Sequence, residues 1–196
     1  MEIKYLPKFK LYDEFAYLLV GSIALLAITY DLFLLEWPLR PPAFTAQSFI
    51  IYLILAYFAG HVSHAIANIV VKEKKSEFTD AEKDILAEAR QRYKLEKHSD
   101  HDIYLVCYLV STAKDLTGQV ELFNAYYSLY RGWFVIFAIE SAYLLVLNIA
   151  RPVTMAFLVS FFVSAVFAIL FFRRSRRFFK YSQTKTLQNY ILIKGE

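Results

Sequence analysis

The sequence predicts an all-α, polytopic membrane protein with four transmembrane helices and a helical cytoplasmic layer. Hydrophobic residues make up 58% of its 196 residues, whereas about 45–50% is typical of soluble domains. Four apolar runs each approach the ~20 residues that a helix needs to cross a bilayer, and they lie at 15–35, 49–71, 133–150 and 153–172. Lys and Arg are concentrated on one side of these runs, as in a chain threaded through a membrane.

The apolar runs divide the chain into four segments. Residues 1–71 hold an N-terminal interfacial segment and transmembrane helices 1 and 2, and residues 72–130 form a cytoplasmic helical region. Residues 131–172 hold transmembrane helices 3 and 4, and residues 173–196 form a C-terminal cytoplasmic helix. Only the region between the second and third runs is large enough to form a layer outside the membrane.

The orientation of the chain follows from its basic residues. Of the 22 Lys and Arg residues, all except Arg40 and Arg151 precede the first run, lie between the second and third, or follow the fourth. Because cytoplasmic loops carry the excess of Lys and Arg, both termini are expected in the cytoplasm. The short links on the outer side leave no room for an external domain.

The first two runs hold polar residues within otherwise apolar helices. In the first, Gly21 and Ser22 allow a neighbouring helix to approach closely, and Asp31 lies near the outer end as either an interfacial carboxylate or a buried partner. In the second, three polar side chains spaced i, i+3 and i+7 share one helical face, and these are His61, His64 and Asn68. Because an ionisable group in lipid is costly, this face is expected to point toward protein or water.

Further helices are predicted in the cytoplasmic region. Thr79 and Glu82 have the spacing of a capping box, in which each side chain bonds a free backbone N–H at a helix start, so a helix is expected from about Asp80 to Lys97. The apolar run 103–110 is too short to cross a membrane and is expected to be a buried helix or a subunit contact. A helix that begins near Gln119 is expected to continue into the third apolar run.

Residues 97–102, Lys-His-Ser-Asp-His-Asp, allow two interpretations. Their His and Asp side chains are ligands that zinc accepts, but no second ligand set at a zinc spacing accompanies them. Ser99 and Asp100 also suit the N-cap of the helix that follows. We prefer the cap, because it needs only local hydrogen bonds, and no metal site is predicted.

Polar side chains of different runs are predicted to lie at one depth in the membrane. Four of them are 7 or 8 residues from the cytoplasmic end of their run, namely Ser22, His64, Glu140 and Ser164, which corresponds to roughly 10–12 Å of helix. Because a carboxylate and an imidazole form a charge-assisted bond in a low dielectric, we predict that Glu140 pairs with His61 or His64. Together with Asn68, this polar layer either lines a permeation path or is a structural knot that fixes helix register.

The predicted cytoplasmic side carries a basic face that is a candidate site for an anionic ligand. Its members are Lys72, Lys74, Lys75, Arg90, Arg92, Arg131, Arg173, Arg174, Arg176, Arg177 and Lys180. In a ring of subunits this charge would multiply and attract nucleotides, nucleic acid or acidic lipid headgroups. The alternative is the ordinary positive-inside bias combined with binding of anionic lipid.

Nothing in the sequence indicates an enzyme, a catalytic residue or a cofactor. Gly60-His-Val-Ser-His64 lacks the spacing and the base of a zinc hydrolase, and no nucleophile elbow, Walker loop or dinucleotide fingerprint occurs. Three hypotheses follow: a homo-oligomeric channel gated from its basic face, a membrane scaffold that recruits a soluble partner protein through 76–130, and a small proton-coupled transporter using Glu140 and His61. The lack of inverted repeats argues against the transporter.

The arrangement of four spans, two cytoplasmic termini, a helical loop after the second span and a basic inner face resembles the small four-span membrane proteins of bacterial anti-phage defence. Examples are the Hailong membrane effector and the membrane component of Kiwa. The resemblance is architectural and has no diagnostic motif. It implies a location in the bacterial inner membrane and a tetramer, with channel activity controlled by a nucleotide or oligonucleotide in the first case and by a soluble partner protein in the second.

Overall fold

The computed structural model describes residues 11–38, 45–71, 78–114, 118–151 and 154–194. In these ranges the chain forms six helices and no strand: α1 (Leu11–Leu34), α2 (Ala46–Val70), α3 (Asp80–Arg92), α4 (Asp100–Lys114), α5 (Gln119–Ala150) and α6 (Met155–Lys194). Helices α1, α2, α5 and α6 are long and apolar enough to cross a membrane. The predicted all-α fold class with four candidate transmembrane helices is therefore confirmed.

The helices belong to two compact units. The membrane unit comprises the described residues of 1–70 and 128–173, and the second unit comprises those of 71–127 and 174–196. Helices α5 and α6 contribute to both units, because the predicted helix near Gln119 does continue into the third apolar run and α6 continues without interruption past its apolar half.

Helices α1 and α2 of the membrane unit pack backbone against backbone at two glycines. A Cβ atom at Gly21 would lie 1.6 Å from the carbonyl oxygen of Ala56, and one at Gly60 would lie 1.9 Å from the carbonyl oxygen of Tyr17. Neither position has room for a side chain. The two helices approach this closely because both contact residues are glycine, as is common between helices in membranes.

Aromatic side chains join α5 to α6 within the membrane unit. The ring of Phe171 lies 5.1 Å from that of Trp133 and 5.5 Å from that of Phe137, measured between centroids. Phe137 also lies 5.2 Å from Phe167. These separations are typical of favourable aromatic pairs, so the Phe-rich fourth apolar run is used for packing against α5.

The second unit has its own apolar core. Its buried members come from α3, α4 and the C-terminal part of α6, with Phe78 just before α3: Phe78, Leu86, Ala89, Ile103, Tyr104, Cys107, Leu187 and Tyr190. Burial raises the pKa of the Cys107 thiol to about 11, so this cysteine behaves as a small apolar core residue. Only one face of α4 packs into this core. On the opposite face, Leu105 and Leu109 remain 44% and 66% exposed.

Both helix starts predicted in this region are present. The backbone N–H of Glu82 donates to Thr79 Oγ1 over 3.3 Å, and the Thr79 N–H donates to Glu82 Oε2 over 2.9 Å. Ser99 makes the equivalent pair of bonds with Asp102, at 3.1 and 3.3 Å. The preferred N-cap interpretation of 97–102 is therefore confirmed, and the bonds from Ser99 lower the pKa of the Asp102 carboxyl group.

Helix α3 ends at Arg92, not at Lys97 as predicted. Lys94 adopts a left-handed conformation with φ of 55°. The N–H of Leu95 donates to the Arg90 carbonyl over 3.0 Å, and the N–H of Lys94 donates to the Gln91 carbonyl over 3.2 Å. These two bonds form a Schellman motif, and Leu95 packs on the core beside it. The sequence conceals this stop because its left-handed residue is lysine and not glycine.

Candidate functional site

Two carboxyl groups meet within the membrane unit. The side chain of Glu140 on α5, which is only 8% exposed, contacts that of Asp31 on α1, and the two can share a hydrogen bond when one of them is protonated. Asp31 is half-buried, so it has the partner that one interpretation required but keeps part of the exposure that the interfacial interpretation required. A pair of acids among apolar helices is costly to bury, so it requires a compensating role.

The predicted pairing of Glu140 with His61 or His64 is not what the structure shows. A Cβ atom at Gly132 would lie 2.8 Å from Val20 Cγ2 and 3.2 Å from His64 Nε2, so Gly132 and His64 lie at one level. Glu140 is eight residues further along α5, about 12 Å of helix. The prediction took Trp133, the start of the apolar run, as the cytoplasmic boundary of the membrane on α5, and this error placed Glu140 about two turns too close to the cytoplasmic side.

The carboxyl pair adjoins a cavity of about 340 Å³ between α1, α5 and α6. Its polar lining consists of Tyr30, Glu140, Ser160 and Ser164, and its other lining residues are apolar. The Tyr30 and Ser160 hydroxyl oxygens lie 2.7 Å apart. The structure thus brings together two predicted members of the polar layer, Glu140 and Ser164, and adds Tyr30 and Ser160, which the sequence analysis missed.

The histidines of α2 lie elsewhere in the membrane unit. His64 is 5% exposed, and its Nδ1 lies 3.3 Å from Ser128 Oγ, while no hydrogen-bond partner for Nε2 is found among the described residues. His61 is exposed and stacks on the Tyr17 ring at 4.0 Å. Asn68 is exposed and Ser22 is half-buried, so the predicted layer of six residues does not converge on one site.

The residues of the predicted basic face have different environments. Lys72, Lys74 and Lys75 lie outside the described residues. In the second unit, Arg90 forms an ion pair with Asp100 and is thereby committed to the turn between α3 and α4. In the membrane unit, Arg131 is half-buried and Arg173 is exposed. The remaining candidates, all exposed residues of the second unit, are Arg92, Arg174, Arg176, Arg177 and Lys180.

A second cavity, a groove of about 390 Å³, lies within the second unit along the C-terminal half of α6. Its lining residues are Phe123, Lys180, Tyr181, Thr184, Lys185 and Gln188. Of these, only Lys180 was a predicted site residue. The helical spacing on α6 could have indicated Thr184 and Gln188, since residues 180, 184 and 188 repeat every four positions and therefore share a face, whereas nothing in the sequence indicates Phe123 of α5.

Three features of the described residues bear on function: the carboxyl pair with its cavity, the exposed face of α4, and the groove along α6. No group of three His, Cys, Asp or Glu side chains that could hold a metal ion occurs in the ranges that the structure describes. No protein-family model, curated protein or solved structure matches the chain.

Proposed function

We propose that this chain is a membrane channel that assembles as a homo-oligomer and conducts ions past Asp31 and Glu140. The observation that supports this function is the contact between two carboxyl groups inside helices apolar enough to cross a membrane. Apolar side chains would pack the same space without a desolvation cost. Ionisable residues retained in such helices typically line paths for ions or protons.

Assembly into an oligomer follows from the cavity beside the pair. The cavity is not enclosed by the chain, and Tyr30 in its lining remains 45% exposed, so a single subunit in a bilayer would turn a partly polar opening toward lipid. Polar groups are not stable facing lipid and require protein or water. A second copy of the chain supplies that cover, and a ring of copies encloses a water-filled path.

Gating and biological role extend this proposal. The resemblance to the four-span defence proteins supports three further features. These are a tetrameric ring, control from the basic cytoplasmic face by a nucleotide or oligonucleotide, and a role in bacterial anti-phage defence. The exposed arginines of the second unit supply positive charge that an anionic ligand requires.

Recordings from the purified protein in planar bilayers test the proposed channel. We expect discrete current steps, with a reversal potential in a KCl gradient that indicates cation selectivity, because the conducting region carries carboxyl groups. A chain shown to be inserted and oligomeric that passes no current with or without added nucleotides would refute the channel.

The exposed face of α4 is the expected subunit contact outside the membrane unit. Leu109 is 66% exposed, whereas Val106 is half-buried, so Leu109 is the residue that a neighbouring subunit would cover. Leu109→Asp is expected to reduce the oligomer to smaller species in detergent, measured by light scattering coupled to size exclusion. Ala87→Asp, an exposed position on α3, is the matched control. An unchanged mass for Leu109→Asp would contradict this contact.

The same face favours a second candidate function. A membrane scaffold that recruits a soluble protein would also need an exposed apolar surface, and Leu105 with Leu109 supplies one. The two functions differ in the recordings: the scaffold predicts silent bilayers and an oligomer mass that Leu109→Asp does not change.

A further inference from the structure

We propose that the groove along α6 binds a mononucleotide, with the base against Phe123 and Tyr181 and the phosphate on Lys180 and Lys185. This inference rests on the proposed ligand-gated function and deepens it by naming the ligand class and its site. All of the lining residues belong to the second unit.

The size and lining of the groove match a nucleotide. Its volume of about 390 Å³ is near the lower end of the roughly 300–1,000 Å³ range of small-molecule sites. Most of its surface comes from apolar atoms, and the five lining residues that carry a polar or charged group all lie on α6. An apolar surface with a small number of cations suits a flat base joined to a phosphate, and the volume favours one nucleotide over an extended oligonucleotide.

Aromatic rings supply the surface for the base. The centroids of Phe123 and Tyr181 lie 5.8 Å apart with a 57° angle between the ring planes. Arg177 holds Tyr181 in place, since its Nε donates to the tyrosine hydroxyl over 2.6 Å and its guanidinium lies 5.2 Å from the ring centroid. A ring fixed in this way loses little entropy when a base stacks on it.

The two lysines supply the charge for the phosphate. Lys180 is exposed and Lys185 is half-buried, and neither belongs to the salt bridges found among the described residues. Glu82 is bonded through both oxygens, to the Thr79 N–H and to the Thr184 hydroxyl at 3.1 Å. The Glu82 carboxylate is therefore engaged in the capping box of α3 and in a contact with α6, and among the described residues it forms no salt bridge with either lysine.

Gln188 supplies a means of reading the base. It is exposed at one end of the groove lining, two helical turns from Lys180. A glutamine carboxamide presents one donor and one acceptor side by side, which matches the N6 and N7 edge of adenine. An adenine nucleotide is therefore the expected member of the class.

The aromatic lining of the groove favours a nucleotide over a lipid headgroup. A base can stack on aromatic rings, and the rings of Phe123 and Tyr181 both line the groove. A phospholipid headgroup has no aromatic ring to place against them.

Equilibrium binding of labelled AMP to the full chain in nanodiscs of uncharged lipid tests the site. We expect saturable binding of AMP by the unsubstituted chain. The affinity is expected to fall about 100-fold in the double variant Lys180→Gln/Lys185→Gln, since each charged contact contributes about tenfold or more. It is expected to fall about tenfold in Tyr181→Leu, because stacking of the base is lost.

The double variant Lys83→Gln/Lys97→Gln removes the same charge at exposed positions and is expected to bind AMP as the unsubstituted chain does. Gln188→Ala is expected to reduce the preference for AMP over UMP. Equal thermal stability of all variants shows that folding is retained.

Several outcomes would overturn the proposal. These are no saturable binding of AMP by the unsubstituted chain, equal loss in the control pair, or binding of inorganic phosphate as tight as that of AMP. If the groove variants lose only their binding to vesicles with anionic lipid, the groove is a lipid site and the nucleotide assignment is wrong. Because binding is measured without current, a chain that binds AMP through the groove but never conducts refutes the channel and keeps the site.

Discussion

Substituting valine for Gly60 is expected to prevent the α1–α2 hairpin from forming, and Gly21→Val is expected to do the same. The atoms that a new Cβ would meet are backbone atoms, at 1.9 Å for Gly60 and 1.6 Å for Gly21, so no side-chain rotation relieves the overlap. The helices would have to separate along their whole contact. This would lose the close van der Waals packing that drives the association of helices in membranes. We expect a cost of about 3 kcal/mol or more, at the upper end for overpacked sites.

The measurement is the yield and melting temperature of the detergent-purified chain, with size exclusion to detect aggregates. Ala65→Val places the same side chain at an exposed position of α2 and is expected to behave as the unsubstituted protein does. Purified Gly60→Val with unchanged melting temperature and assembly would show that α1 and α2 do not pack through this contact.

Neutralising both members of the carboxyl pair, in Asp31→Asn/Glu140→Gln, is expected to lower cation conductance roughly tenfold while leaving assembly intact. At an effective dielectric constant of about 20, a carboxylate about 10 Å from a passing cation stabilises it by ~1.7 kcal/mol, and this energy corresponds to somewhat more than tenfold in rate. The amides keep the size and the hydrogen-bonding capacity of the acids. Each single variant leaves one carboxyl group, so its effect is expected to be smaller than that of the double variant.

Single-channel conductance and reversal potential, recorded for the two single variants and the double variant, measure this effect. Glu96→Gln removes an exposed carboxylate of the second unit and controls for loss of charge elsewhere. If the double variant conducts with unchanged amplitude and selectivity, the pair is a structural knot, which was the alternative for the polar layer in the sequence analysis. A double variant that fails to assemble would also assign the pair a structural role.

Much of the fold could be predicted from residues that are near each other in the chain. The length and hydropathy of the four apolar runs depend on composition over about 20 residues, and α1, α2, α5 and α6 contain them. The caps at Thr79 and Ser99 require partners only three residues away. The end of α3 at Arg92 is the exception, because Lys94 takes a conformation that glycine usually marks.

The candidate sites could be predicted only in part, since they depend on how distant helices lie against each other. Glu140 was recognised as a polar residue in an apolar run, but its partner depends on the axial shift between α1 and α5. That shift is visible in the contact of Gly132 with Val20. Likewise, Lys180 was recognised by its charge, whereas the groove needs Phe123, which lies about 60 residues earlier in the chain.

The sequence by itself determined that this chain is helical, where its apolar helices begin and end within a few residues, and which polar groups those helices carry. Only the tertiary structure decided that Asp31, and not a histidine, meets Glu140, and that α6 forms a groove with Phe123. The physical reason is that counting residues gives distance along one helix, whereas the rotation and shift between helices follow from side-chain packing over the whole contact.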